Sequence, residues 1–136
     1  MRNLVKGCLI IAIFACASPS HESRLTRLRT GEIERLVNGH YVHYAPDPEI
    51  RITGQEDGRR ESYCNGKMSG PAHRVNRIFA PYTIQDNQLC VDYSSANKMC
   101  RSFYRDATGQ LYSQFGDQEP APIRTGPLSE GACRSS

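Results

Sequence analysis

The sequence has no tryptophan, no apolar run long enough to span a membrane and no closely spaced cysteine pair. A membrane-spanning helix needs about 20 apolar residues to cross a hydrocarbon core of roughly 30 Å, and the longest apolar stretch, Gly7 to Ala15, ends before the polar Ser18-Pro19-Ser20-His21-Glu22. Structural zinc sites use cysteines about two to four residues apart, so the isolated Cys64, Cys90, Cys100 and Cys133 do not form one. The chain also lacks a phosphate-cradling glycine loop, a dinucleotide fingerprint and a serine-nucleophile elbow, and so shows no motif of the commonest enzyme classes. A strong charge is missing too. The formal charge is +3, and without Arg2 and Lys6 the balance is 15 basic against 14 acidic side chains. Nucleic-acid binding, which rests on neutralising many phosphates, is therefore not expected.

What is present begins with a leader. Arg2 and Lys6 precede the apolar run, the pattern of a secretory signal peptide over residues 1–15. Two processing schemes fit. Ala15-Cys16-Ala17 satisfies the small-x-small rule for release after Ala17, and Ile13-Phe14-Ala15-Cys16 resembles a bacterial lipobox, which would leave Cys16 as the lipidated first residue. The lipobox resemblance implies an outer-membrane lipoprotein facing the periplasm, since Ala17 is not the Asp that favours inner-membrane retention. Release after Ala17 implies a periplasmic or secreted protein. Residues 16–30 then read as a lipidated or free tether. Its Arg24, Arg27 and Arg29 are placed to meet anionic headgroups or simply to lie on a solvated linker.

With Cys8 in the leader and Cys16 in the lipobox, four cysteines remain, an even number that reads as two disulfides in an exported chain. Three connectivities are possible. Cys90 and Cys100 flank a turn-rich Tyr93-Ser94-Ser95-Ala96-Asn97 segment, so a hairpin sets them opposite one another and leaves Cys64 for Cys133.

The spacing predicts a helix over 31–38, with Thr30 as cap, Ile33, Leu36 and Val37 on one face and Asn38-Gly39 as the stop. From His40 the pattern is β. Strands are expected near His40–Tyr44, Glu49–Thr53, Arg60–Asn65, Arg77–Ile84, Gln88–Tyr93, Lys98–Tyr104 and Gln110–Phe115, with turns at Asp86-Asn87 and Asp106–Gly109. The alternation of Leu89, Val91 and Tyr93 with Cys90 and Asp92 marks a strand with one buried face. The fold class is therefore mainly β: a small antiparallel barrel or sandwich over residues 31–117, with one short N-terminal helix and disulfide bracing. Pro120, Pro122 and Pro127 oppose regular structure, so residues 118–136 are expected to be a loose tail pinned by Cys133.

The order of Glu32-Ile33, Leu36, Gly39, Leu89-Cys90-Val91, Cys100, Tyr104 and Gly109 to Tyr112 resembles small exported proteobacterial proteins grouped as domains of unknown function. The match runs from about Thr30 to Phe115. It implies export, the Cys90–Cys100 pairing and a compact β-rich domain, and it brings no established reaction. Cys64 and Cys133 are additions to that pattern.

Candidate chemistry is sparse. His40, Tyr41, His43 and Tyr44, followed by Asp47 and Glu49, combine imidazoles with carboxylates, yet residues three apart on a strand point to opposite faces and do not share one ion. No metal site, catalytic residue or cofactor is assigned. Tyrosine and arginine dominate binding hot spots, and an outward set of Tyr41, Tyr44, Arg77, Arg101 and Arg105 on one sheet face would grip an envelope protein, a glycan or an acidic polymer. The expected function is a non-enzymatic envelope lipoprotein or secreted interaction domain. A small secreted protease inhibitor is the alternative, and a metal-dependent or hydrolytic enzyme around His40 and His43 the third reading.

Overall fold

A computed structural model describes residues 24–44, 59–72 and 75–133, with backbone only over 71–72 and 75–77. The leader, Cys16, the expected strand at Glu49–Thr53, Asp47 and Glu49 lie outside the described residues.

The order of elements is β1 (Thr26–Arg27), α1 (Thr30–Val37), β2 (His40–Tyr44), β3 (Arg59–Cys64), β4 (Lys67–Ala72), β5 (Val75–Gln85), β6 (Gln88–Ser94), β7 (Asn97–Arg105), β8 (Leu111–Phe115) and β9 (Ala121–Pro127). Strands β2 to β9 pair antiparallel in chain order, and β9 returns to pair with β2, so the sheet closes into an eight-stranded up-and-down barrel. Closure removes the exposed sheet edges, and eight strands enclose a lumen about wide enough for side chains to fill. Here they fill it: Val42, Tyr63, Met68, Leu89, Phe103 and Ile123 are buried in one cluster.

Tight turns set the register. Asn65-Gly66 and Asp86-Asn87 each place two successive residues at positive φ, as a two-residue hairpin requires when its twist matches the strands. The first of these separates Cys64 from Lys67 and starts β4, a strand the sequence pattern hides because Lys67–Ala72 contains a Gly and a Pro and alternates weakly.

One end of the barrel is closed by α1, which buries Ile33 and Val37 against β2, β3, β5 and β6, with Leu36 packed at the margin. The helix begins one residue earlier than its spacing predicts, and Thr30 does not cap it. Instead Thr30 N–H donates to Asn87 Oδ1 at 2.9 Å and its hydroxyl accepts from Asn87 N–H at 3.2 Å, docking the helix on the β5–β6 turn. The capping contact comes from Glu32, whose carboxylate accepts the Arg29 N–H at 2.9 Å.

Two expectations about the termini are corrected. The segment 16–30 is not tether to its end: Thr26–Arg27 pairs with Tyr104 and Arg105 of β7, Leu28 is buried, and Arg27 Nη2 donates to Ser102 Oγ at 3.2 Å. Within the expected loose tail of 118–136, the described part, 118–133, is not loose, because Ala121–Pro127 is the strand that closes the barrel. Among the described residues Pro122 is paired only with β8 and Pro127 only with β2, the strand-end positions where a proline is tolerated. The two disulfides are Cys64–Cys133 and Cys90–Cys100; the second links directly paired residues of β6 and β7.

Candidate functional site

The end of the barrel away from α1 gathers the polar side chains of the lumen. Inward parity on β3 selects Arg59, Glu61 and Tyr63; on β2 it selects Val42 and Tyr44; on β6, Leu89, Val91 and Tyr93; on β7, Arg101 and Phe103. Glu61 is 1% exposed although it carries a carboxylate. A charge at that depth has to be paired and hydrogen-bonded. Arg59 Nε donates to Glu61 Oε1, Tyr93 Oη donates to the same oxygen at 3.1 Å, and Tyr63 Oη donates to Oε2. With the Tyr63 proton committed to Glu61, the 2.8 Å contact between Tyr44 and Tyr63 hydroxyls has Tyr44 as donor. Arg59 Nη2 also donates to Tyr93 Oη at 3.3 Å. Gly70 makes the room: a Cβ there would stand 3.1 Å from Glu61 Cγ.

The tyrosine hydroxyls in this network stay protonated far into the alkaline range. Burial is the first cause for all three; for Tyr44 and Tyr93 the next is the Glu61 carboxylate, and for Tyr63 it is Tyr44. They act as donors to the carboxylate. Among the described residues, every buried side-chain nitrogen or oxygen has a partner.

Arg101 stands apart from this closed circuit. Its guanidinium crosses the lumen to lie 4.3 Å from the Tyr44 ring centroid and 5.4 Å from that of Phe115, the residue paired with it on β8. Among the described residues it has neither a carboxylate partner nor a hydrogen-bond acceptor. A partly buried guanidinium braced on two rings and without an acceptor among the described residues is suited to receive a carboxylate or phosphate oxygen pair.

The five residues assigned from sequence therefore do not form one outer face. Tyr44 and Arg101 meet inside the barrel, and Tyr44 is only 3% exposed. Tyr41 is on the outside of β2. Arg105 lies at the helix end, 3.9 Å from Glu32. Arg77 belongs to β5, and its side chain is not among those described. The single-face expectation fails because the two residues of β2, Tyr41 and Tyr44, have opposite parity. Arg59, Glu61, Tyr93 and Phe115 were not singled out from sequence. Arg59, Glu61 and Tyr63 share one face at period two, and the tyrosine among them is the available sign that the acid points inward.

His40 and His43 are on opposite sides of β2, and the His40 Nδ1 contacts the Asn38 carbonyl at 2.9 Å. Among the described residues, no three His, Cys, Asp or Glu side chains gather as a metal site.

Comparison with protein-family models, with curated proteins and with solved structures finds no match.

Proposed function

We propose that this protein is an exported, non-enzymatic binding domain of the bacterial cell envelope, and that the barrel end opposite α1 is its ligand-facing surface. The observation that carries the reading is Arg101, braced on Tyr44 and Phe115 with no carboxylate partner among the described residues. Beneath it, Glu61 is already occupied by Arg59, Tyr63 and Tyr93, so Arg101 is the cation left for an incoming anionic group. Export rests on the leader pattern and on two disulfides, the usage of an oxidising compartment. Attachment follows if Cys16 is acylated, and release if cleavage falls after Ala17.

Benzoate, an aromatic carboxylate, probes the mouth, with benzamide as its uncharged control. Titration followed by nuclear magnetic resonance should give saturable shifts at Arg101 and Phe115 with benzoate alone. Replacing Arg101 by Gln should weaken binding about tenfold or more, the equivalent of one charge-assisted hydrogen bond. Equal shifts with benzamide, or undiminished binding by the variant, would refute the mouth as an anion site. The intact mass of the protein taken from its native envelope tests the address: a chain beginning at acylated Cys16 or at Ser18 supports export, and a retained leader overturns it.

A further inference from the structure

A second cationic feature lies on the outer face of the barrel, on the strand ends whose inward residues Tyr44 and Arg59 belong to the mouth. Val42 and Tyr44 of β2 point inward, so Tyr41 and His43 point outward. His43 is in register with Arg60 of β3 on one side and with Arg124 of β9 on the other. Both arginines are exposed, which puts three basic side chains in a line across three adjacent strands. Strands lie about 4.8 Å apart, so the line spans roughly 10 Å.

Arg60 is held in place by the ring beside it: its guanidinium sits 3.8 Å from the Tyr41 ring centroid. The Tyr41 ring rests in turn on Gly126, where a Cβ would come within 2.6 Å of its hydroxyl. Glycine at 126 thus lets the ring lie flat on β9, and the ring carries the Arg60 guanidinium on its other face. Among the described residues neither Arg60 nor Arg124 has a carboxylate partner, and the adjacent Glu61 is turned into the lumen.

The occupant is defined by what this wall offers and what it withholds. It offers anion-binding groups in a row on a flat surface. It withholds a stacking platform, because the Tyr41 ring is covered by Gly126 below and Arg60 above, so a nucleobase or a planar ligand gains nothing there. The N-terminal segment joins along β7, three strands round the barrel from β2, so the row is not at the point where the chain would be tied to a membrane. We propose that the wall formed by β9, β2 and β3 binds a linear acidic glycan through Arg60 and Arg124, which flank His43 on the outer face.

The test uses the full mature chain and an oligogalacturonate, with the fully methyl-esterified oligomer as the neutral control and a polyglutamate peptide of equal charge as the competing class. Calorimetry should show binding of the acidic oligomer that weakens as salt is raised, and no binding of the ester. The double variant Arg60→Gln with Arg124→Gln should lose affinity by about tenfold or more, because two charge-assisted contacts disappear. Gly126→Ala, which keeps every charge and displaces the Tyr41 ring, should give a smaller loss and serves as the second variant should the double one misfold. In the Arg101→Gln variant, which removes the cation of the mouth, the resonance shifts that the oligomer causes on β9, β2 and β3 should persist, which separates this wall from the mouth. Absence of binding, unchanged affinity in the double variant, or tighter binding of polyglutamate than of the glycan would overturn the proposal.

Discussion

Glu61 illustrates what a single buried acid demands of its surroundings. Its two oxygens accept from Arg59, Tyr63 and Tyr93, and Gly70 is the only residue type that leaves its methylenes undisturbed. Removing one partner of such a group leaves the others desolvated and unsatisfied. Glu61→Ala should therefore cost about 3–5 kcal/mol of stability, the usual penalty for breaking a buried pair, and Glu61→Gln should cost less because one amide oxygen still accepts. Urea denaturation of both variants measures this; equal and small losses would mean that the network is not structural. The same residue shows where sequence reading stops. In Arg59-Arg60-Glu61-Ser62-Tyr63 charged side chains fall on both parities, so alternation alone cannot tell which face is buried, and Tyr44 and Arg101 read equally well as surface residues.

At the scale of elements, the two disulfides brace different things. Cys90–Cys100 joins strands that a short hairpin already holds in register, whereas Cys64–Cys133 ties the end of β3 to the chain beyond β9, across a separation of 69 residues. Loop-entropy arithmetic gives about 2.8 kcal/mol for the short bridge and about 4.4 kcal/mol for the long one. Replacing Cys64 and Cys133 together by Ser should thus lower the unfolding free energy by more than replacing Cys90 and Cys100, and denaturant midpoints of the two variants decide it; the reverse order would show that the long bridge merely decorates a self-sufficient barrel. Both pairings were legible in the sequence, since hairpin spacing fixed one and left the other. The helix face of Ile33, Leu36 and Val37, the strand of Leu89, Val91 and Tyr93 and the turn at Asp86-Asn87 were legible for the same reason, a local period or a local turn. β1, β4 and β9 were not. A two-residue strand has no period, β4 is interrupted by Gly70 and Pro71, and the prolines of β9 oppose a strand until the register shows that they stand at its two ends.

The whole molecule is an asymmetric barrel, apolar where α1 closes it and polar where Tyr44, Tyr63 and Tyr93 crowd around one carboxylate, and that asymmetry has a thermodynamic signature in alkali. The hydroxyls of these three residues ionise near pH 10 in the unfolded chain and only at higher pH in the folded one, first because burial disfavours the phenolate. Above that pH the folded state holds more protons than the unfolded state, so stability, fully present below pH 10, falls as pH rises. The slope approaches about 1.4 kcal/mol per pH unit for each group, or about 4 kcal/mol per unit for the three together. A barrel with the marginal stability of a small domain is therefore expected to unfold cooperatively within roughly two or three pH units above 10. Phenolate absorbance and far-ultraviolet circular dichroism, followed together, should show a late rise in phenolate that coincides with loss of the β signature. Tyr44→Phe and Tyr93→Phe should each shrink that late phase. Phenolate formation complete while the β signature is intact would mean that water reaches these hydroxyls in the folded state, and the closed circuit around Glu61 would have to be given up.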